Sequence, residues 1–174
     1  ELSEYFMPGL GGNEYSNENA VETADALNQI NPDFIRIRTL AIPDYLLLKK
    51  DYDDGLFTRT NDITMVRELL TLVRNLHGIT SYVKSDHILN LLEEVEGQLP
   101  GDKEKMIAVM EAFLALPESE QIVFRVGRRT GIINRLGELN DAASRRQVEQ
   151  IIAEYNIDAN NIDDICDVLI KRFI

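Results

Sequence analysis

Along the first forty positions the spacing of apolar residues changes period twice. Tyr5-Phe6-Met7-Pro8 is a short apolar run that opens into the glycine-rich turn Gly9-Leu10-Gly11-Gly12. Ala20, Val21, Ala24 and Leu27 then fall on one stripe, the spacing of a helix lying on a sheet. Asn31-Pro32-Asp33 ends that helix, because proline disfavours helical geometry in the residue before it. From Asp33 to Leu40 the period is two, with Ile35 and Ile37 on one face and Phe34, Arg36 and Arg38 on the other. A strand, a turn, a helix and a strand thus follow within about thirty-five residues, the length of one βαβ unit with parallel strands. Parallel sheets are stable only with both faces covered. Flanking strands are therefore expected, and the chain reads as part of a longer protein.

Residues 41–61 read as a loop, with a helical turn at Tyr45–Lys50 and a break at Asp53-Asp54-Gly55. A second helix is expected from Asn61 or Asp62, carrying Ile63, Val66, Leu69, Leu70 and Val73 and stopping at His77-Gly78. Thr80–Lys84 is short and β-prone, and it delivers the polar cluster Ser85-Asp86-His87 followed by Asn90. Leu99-Pro100-Gly101 marks a boundary, which divides the chain into residues 1–100 and a helical subdomain over 101–174. Within that subdomain one helix carries Met106, Ile107, Met110, Phe113 and Leu114, and a second runs from Pro117 to near Gly127. A short one spans Ile132 to Leu139, and a fourth carries Val148, Ile151, Ile152 and Tyr155. The last carries Ile162, Ile165, Cys166, Leu169 and Phe173.

Charge and composition narrow the function. With 18 basic against 30 acidic residues the net charge is −12, which argues against a nucleic-acid phosphate surface and a polybasic membrane patch. A single cysteine, Cys166, excludes an intrachain disulfide and any cysteine-only metal site, and its apolar stripe predicts a buried thiol. The acidic loops at Asp51 and Asp158 lack the glycine and ligand positions of a calcium loop, so no metal site is expected. No apolar run approaches the roughly 18 residues of a membrane span, and the expected compartment is the cytoplasm.

Three groups of residues carry candidate chemistry. Gly9, Gly11 and Gly12 can bring bare backbone close to a ligand, or simply turn the chain. Arg36 and Arg38 point away from the helix-covered face, and burial of an unpaired arginine is costly. Their side is therefore expected to be a polar or ligand-filled interior. Asp86 and His87 are candidates for acid–base work, although as neighbours on an extended chain they point to opposite sides.

These residues, in order, resemble the C-terminal part of a radical S-adenosylmethionine enzyme. The carriers are Met7 to Gly12, Glu22-Thr23-Ala24, Ile30 to Leu40, Ser85-Asp86-His87 with Asn90, and Leu99 to Lys103. The resemblance implies an α/β fold: the C-terminal part of a partial parallel β/α (TIM-like) barrel, followed by the helical subdomain. It makes Tyr5–Gly12 the fifth strand with its loop and Phe34–Leu40 the sixth. Gly9, Gly11, Gly12, Arg36 and Arg38 would then be the residues nearest S-adenosylmethionine. The family's C-x-x-x-C-x-x-C motif, which holds a [4Fe–4S] cluster, is absent from this sequence. The chain alone is thus expected to bind no cluster and to be inactive. Its implied partners are an N-terminal part of the same protein and an unidentified substrate, with a homodimer through the exposed sheet edge as a further expectation. The alternative is a self-contained, non-catalytic helical interaction module.

Overall fold

A computed structural model describes residues 1–171. The chain runs β1 (Ser3–Phe6), α1 (Ser16–Ile30), β2 (Phe34–Ile37), α2 (Leu47–Asp53), α3 (Asp62–Asn75), β3 (Tyr82–Lys84) and β4 (Gly97–Gln98). Helices α4 (Lys103–Leu114), α5 (Glu118–Thr130), α6 (Ala142–Glu154) and α7 (Ile162–Ile170) follow, with a 3-10 turn at Leu136–Asn140 between α5 and α6. The strands form one sheet in the order β1-β2-β3-β4. β1 pairs with β2 in parallel (Tyr5 with Arg36), β2 pairs with β3 in parallel (Ile35 with Val83), and β4 returns antiparallel to β3.

The period-two reading of the second strand holds. Ile35 and Ile37 are buried, with Phe6 and Val83 beside them on the same face. Helices α1 and α3 pack against one another, and their buried stripes (Ala20, Ala24 and Leu27; Val66, Leu69, Leu70 and Val73) join those strand residues in one core. Val21 departs from its expected place and is 39% exposed. α1 ends at Asn31, whose left-handed φ of 48° suits asparagine. α3 begins at Asn61, whose side chain accepts a hydrogen bond from the Thr64 N–H.

The expected partial parallel barrel does not form. The sheet is open, mixed and four-stranded, so a TIM-like curvature with helices ringing parallel strands is absent among the described residues. The cause lies between β3 and β4. A parallel crossover needs a covering element, usually a helix, and Ser85–Glu96 contains none. The chain instead turns back on itself and caps the sheet with an antiparallel edge strand. The α/β character and the purely helical run after β4 are both present.

Helix α5 extends past Gly127 to Thr130. At Gly127 an added Cβ would lie 2.8 Å from Ile133, so this glycine allows a close packing contact inside the helix, and Gly131 (φ 75°) is the terminator. Phe124 meets Phe113 of α4, and a single buried cluster continues from Phe6 of the sheet to Cys166 of α7. Phe173 lies outside the described residues. No helix among the described residues is long and apolar enough to cross a membrane.

Candidate functional site

The face of the sheet opposite α1 and α3 carries Tyr5 from β1, Phe34 and Arg36 from β2, and Tyr82 and Lys84 from β3. Arg38 and Asp86 continue the same alternation just past the strands' carboxyl ends, where open α/β sheets place ligands. Aromatics and cations interleave on this face. Lys84 Nζ sits 5.5 Å above the Phe34 ring, Arg38 lies 5.6 Å from the Tyr5 ring, and Phe34 meets Tyr82 edge-on at 6.3 Å. Asp86 is shared by two arginines, at 3.5 Å from Arg36 and 3.2 Å from Arg38. Among the described residues it is the only carboxylate within 4 Å of either guanidinium. A guanidinium has five N–H donors, so one carboxylate leaves most of these donors free for a ligand.

His87 follows Asp86 in the same loop, close enough to Arg38 and Asp86 for both charges to act on it. Its Nδ1 is buried without a partner. Burial and the nearby Arg38 hold its imidazole below the ordinary histidine range, with Asp86 opposing them. Asn90 makes the connection that fixes this loop to β2. Its Oδ1 accepts from the Thr39 N–H (3.1 Å) and Thr39 Oγ1 (2.9 Å), and its Nδ2 donates to the Ile37 carbonyl and Ser85 Oγ, both at 3.0 Å.

The glycine turn lies at the carboxyl end of β1, and its bare backbone approaches the chain itself. A Cβ on Gly9 (φ 87°) would come within 2.7 Å of Thr60 Oγ1, and one on Gly12 (φ 61°) within 2.9 Å of the Thr58 carbonyl. On Gly11 it would lie 2.6 Å from the Tyr15 carbonyl. The Gly9 N–H donates to Glu68 Oε2 at 3.0 Å, and Ser16 Oγ and the Asn19 side chain donate to the same carboxylate. Burial pushes the Glu68 carboxyl up, and the three donors oppose that shift.

Two features are not marked by the sequence pattern. Glu68 lies opposite the stripe of Val66, Leu69, Leu70 and Val73 and so reads as a solvent-facing helix residue, yet it is 2% exposed. Arg125, Arg128 and Arg129 are likewise buried on α5. Arg125 and Arg129 grip Asp62 at the first turn of α3, and Arg125 also reaches Asp163 of α7. The three arginines fall on one arc of the helix, opposite Val123, Phe124 and Val126, which by itself is the pattern of a solvated face. Their burial follows from Asp62, Asp163, Glu93 and the loop carbonyls, which lie far away in sequence. In comparisons with family models, characterised proteins and solved structures, nothing matches this chain.

Proposed function

We propose that this chain is the C-terminal, ligand-contacting share of a radical S-adenosylmethionine enzyme, inactive alone and completed by an N-terminal part of the same protein. The observation that carries the reading is the pair Arg36 and Arg38, which share one carboxylate on an uncovered sheet face. Free donors of two guanidiniums suit a carboxylate ligand, and Asp86 beside them suits its ammonium group. The residues do not fit an iron–sulfur cluster. Cys166 is the only cysteine, it is 2% exposed, and burial pushes its thiol up to about 12. The sheet also has room for a further strand. Leu2 and Phe6 direct their carbonyls to β2. By parallel alternation Ser3 and Tyr5 direct their backbone groups to the free edge of β1, where an N-terminal strand or a second copy can pair.

Equilibrium dialysis with S-adenosylmethionine tests the reading. Binding is expected at about 0.1–1 mM, in keeping with a site lacking part of its wall. Arg38→Gln should weaken it about tenfold through loss of a charge-assisted hydrogen bond, and adenosine, which lacks the carboxylate, should bind no better than that variant. No binding at about 5 mM, far above that range, or equal binding by wild type and Arg38→Gln, overturns it. The glycine turn, closed on the chain's own atoms, favours a second reading, a self-contained interaction module. That reading is supported if the chain binds no S-adenosylmethionine.

A further inference from the structure

The loop Ser85–Glu93 carries Asp86 to the open face, with His87 next in the chain, and has no regular structure of its own. Such a loop must place its backbone carbonyls somewhere, and three successive ones turn toward α5. The Leu89 carbonyl accepts from Arg129 Nη1 at 2.7 Å, the Asn90 carbonyl from Arg128 Nη2 at 3.1 Å, and the Leu91 carbonyl from Arg128 Nε at 3.1 Å. Arg128 Nη2 also donates to Glu93 Oε1 at 2.6 Å, and Arg128 Nη1 to Asn134 Oδ1 at 3.3 Å. Asp86, His87 and Ile88 occupy the other end of the loop, and Ile88 is 56% exposed.

We infer that Arg128, with Arg129, is a positioning residue that sets the conformation of the Ser85–Glu93 loop and so aims Asp86 at the open face, with His87 beside it. This role rests on reading that face as a ligand site. Two adjacent like charges, 8% and 3% exposed, are an expensive way to dock a helix, and apolar side chains would do so at less cost. A planar fork that spans two carbonyls instead fixes their direction. The helices after residue 117 then act on the site from behind.

The test uses the full chain and needs no ligand. NMR titration follows the two histidines, with His77 as the internal reference. Hydrogen exchange follows the amides of residues 86–92. Arg38 and Asp86 are the charged groups acting on His87. In Arg128→Gln the His87 pKa should rise toward the ordinary value, and exchange across 86–92 should quicken about tenfold through local opening. Arg128→Lys, which keeps the charge without the fork, should restore little of this. Arg145→Gln is the control. Arg145 binds Glu120 and Glu149 away from the loop, so its loss should lower stability and leave His87 unmoved. Glu93→Gln, at a half-exposed partner, gives a smaller shift in the same direction should Arg128→Gln fail to fold. An unchanged His87 and unchanged exchange in the folded Arg128→Gln or Glu93→Gln protein overturn the role. Failure to bind S-adenosylmethionine bears on the ligand reading alone, because neither readout here involves it.

Discussion

Arg36 on β2 with Arg38 just past its end, and Arg125, Arg128 and Arg129 on α5, are the same side chain used in opposite ways. The α5 arginines are at most 8% exposed and are tied to Asp62, Asp163, Glu93 and three loop carbonyls. The side chains of Arg36 and Arg38 are 32% and 25% exposed, and they divide one half-exposed carboxylate between them. Where buried partners neutralise a guanidinium it holds structure together, even though Arg129 Nε finds no hydrogen-bond partner, and removing a partner strands a buried charge. Where partners are too few, the leftover donors are available to a ligand, and stability depends little on them.

The largest expected effect comes from stranding a charge on the buried side. Burial alone would raise the Asp62 carboxyl, but Arg129 and Arg125 outweigh it and hold it at about 2, against an ordinary 3.8. Asp62→Asn leaves both guanidiniums short of a counter-charge and should cost about 3–5 kcal/mol, read as a lower midpoint in urea unfolding. The pH dependence has a definite sign. A carboxyl depressed in the folded state contributes its full stability above the unfolded value and loses it as pH falls through the folded one. Wild-type stability should therefore drop between about pH 4 and pH 2, and Asp62→Asn should lack that part of the slope. An Asp62→Asn protein as stable as wild type would break the comparison at its buried end.

Gly9 gives the next largest effect and concerns the turn beside the open face. Alanine there must hold a φ of 87° and press its methyl to within 2.7 Å of Thr60 Oγ1. Gly9→Ala should cost about 1–3 kcal/mol of stability in the ligand-free chain, measured by thermal unfolding. No loss would mean that the turn relaxes and that the glycine has some purpose other than close approach to its own chain.

How far the sequence could be read follows from which interactions are local. The alternation from Phe34 to Arg38 is local, so it placed the isoleucines on the buried face and the arginines on the other; the enclosed interior expected around those arginines is an open sheet face instead. The stripe of α3 and the cap at Asn61 were equally legible. The barrel was not, because its absence depends on how Ser85–Glu96 folds back, and that conformation is held by Asn90 contacts to Thr39 and Ile37 some fifty residues away. The end of α5 was misplaced at Gly127 because a glycine that stops a helix and one that admits Ile133 look alike in sequence. Among the site residues, Arg36, Arg38 and Asp86 were each singled out, but only the pairing of β2 with β3 shows that one carboxylate serves both arginines. The buried role of Glu68 depends on donors from β1's turn and α1, which no helical period announces.

The smallest expected effect is the most discriminating one. Arg36→Gln and Arg38→Gln each remove a pairing with Asp86 that is longer than any contact Asp62 makes, and Asp86 keeps the other arginine in either variant. Each pairing is also partly open to water, which screens it, so each substitution should change stability by about 0–1 kcal/mol. Burial contributes little, since glutamine covers part of the same surface. Urea unfolding of both variants beside Asp62→Asn supplies the measurement. A loss from Arg38→Gln approaching that from Asp62→Asn would place Arg38 among the structural arginines and remove the reason for assigning its donors to a ligand. A near-zero loss, combined with the weakened dialysis binding, leaves recognition as the function that its charge serves.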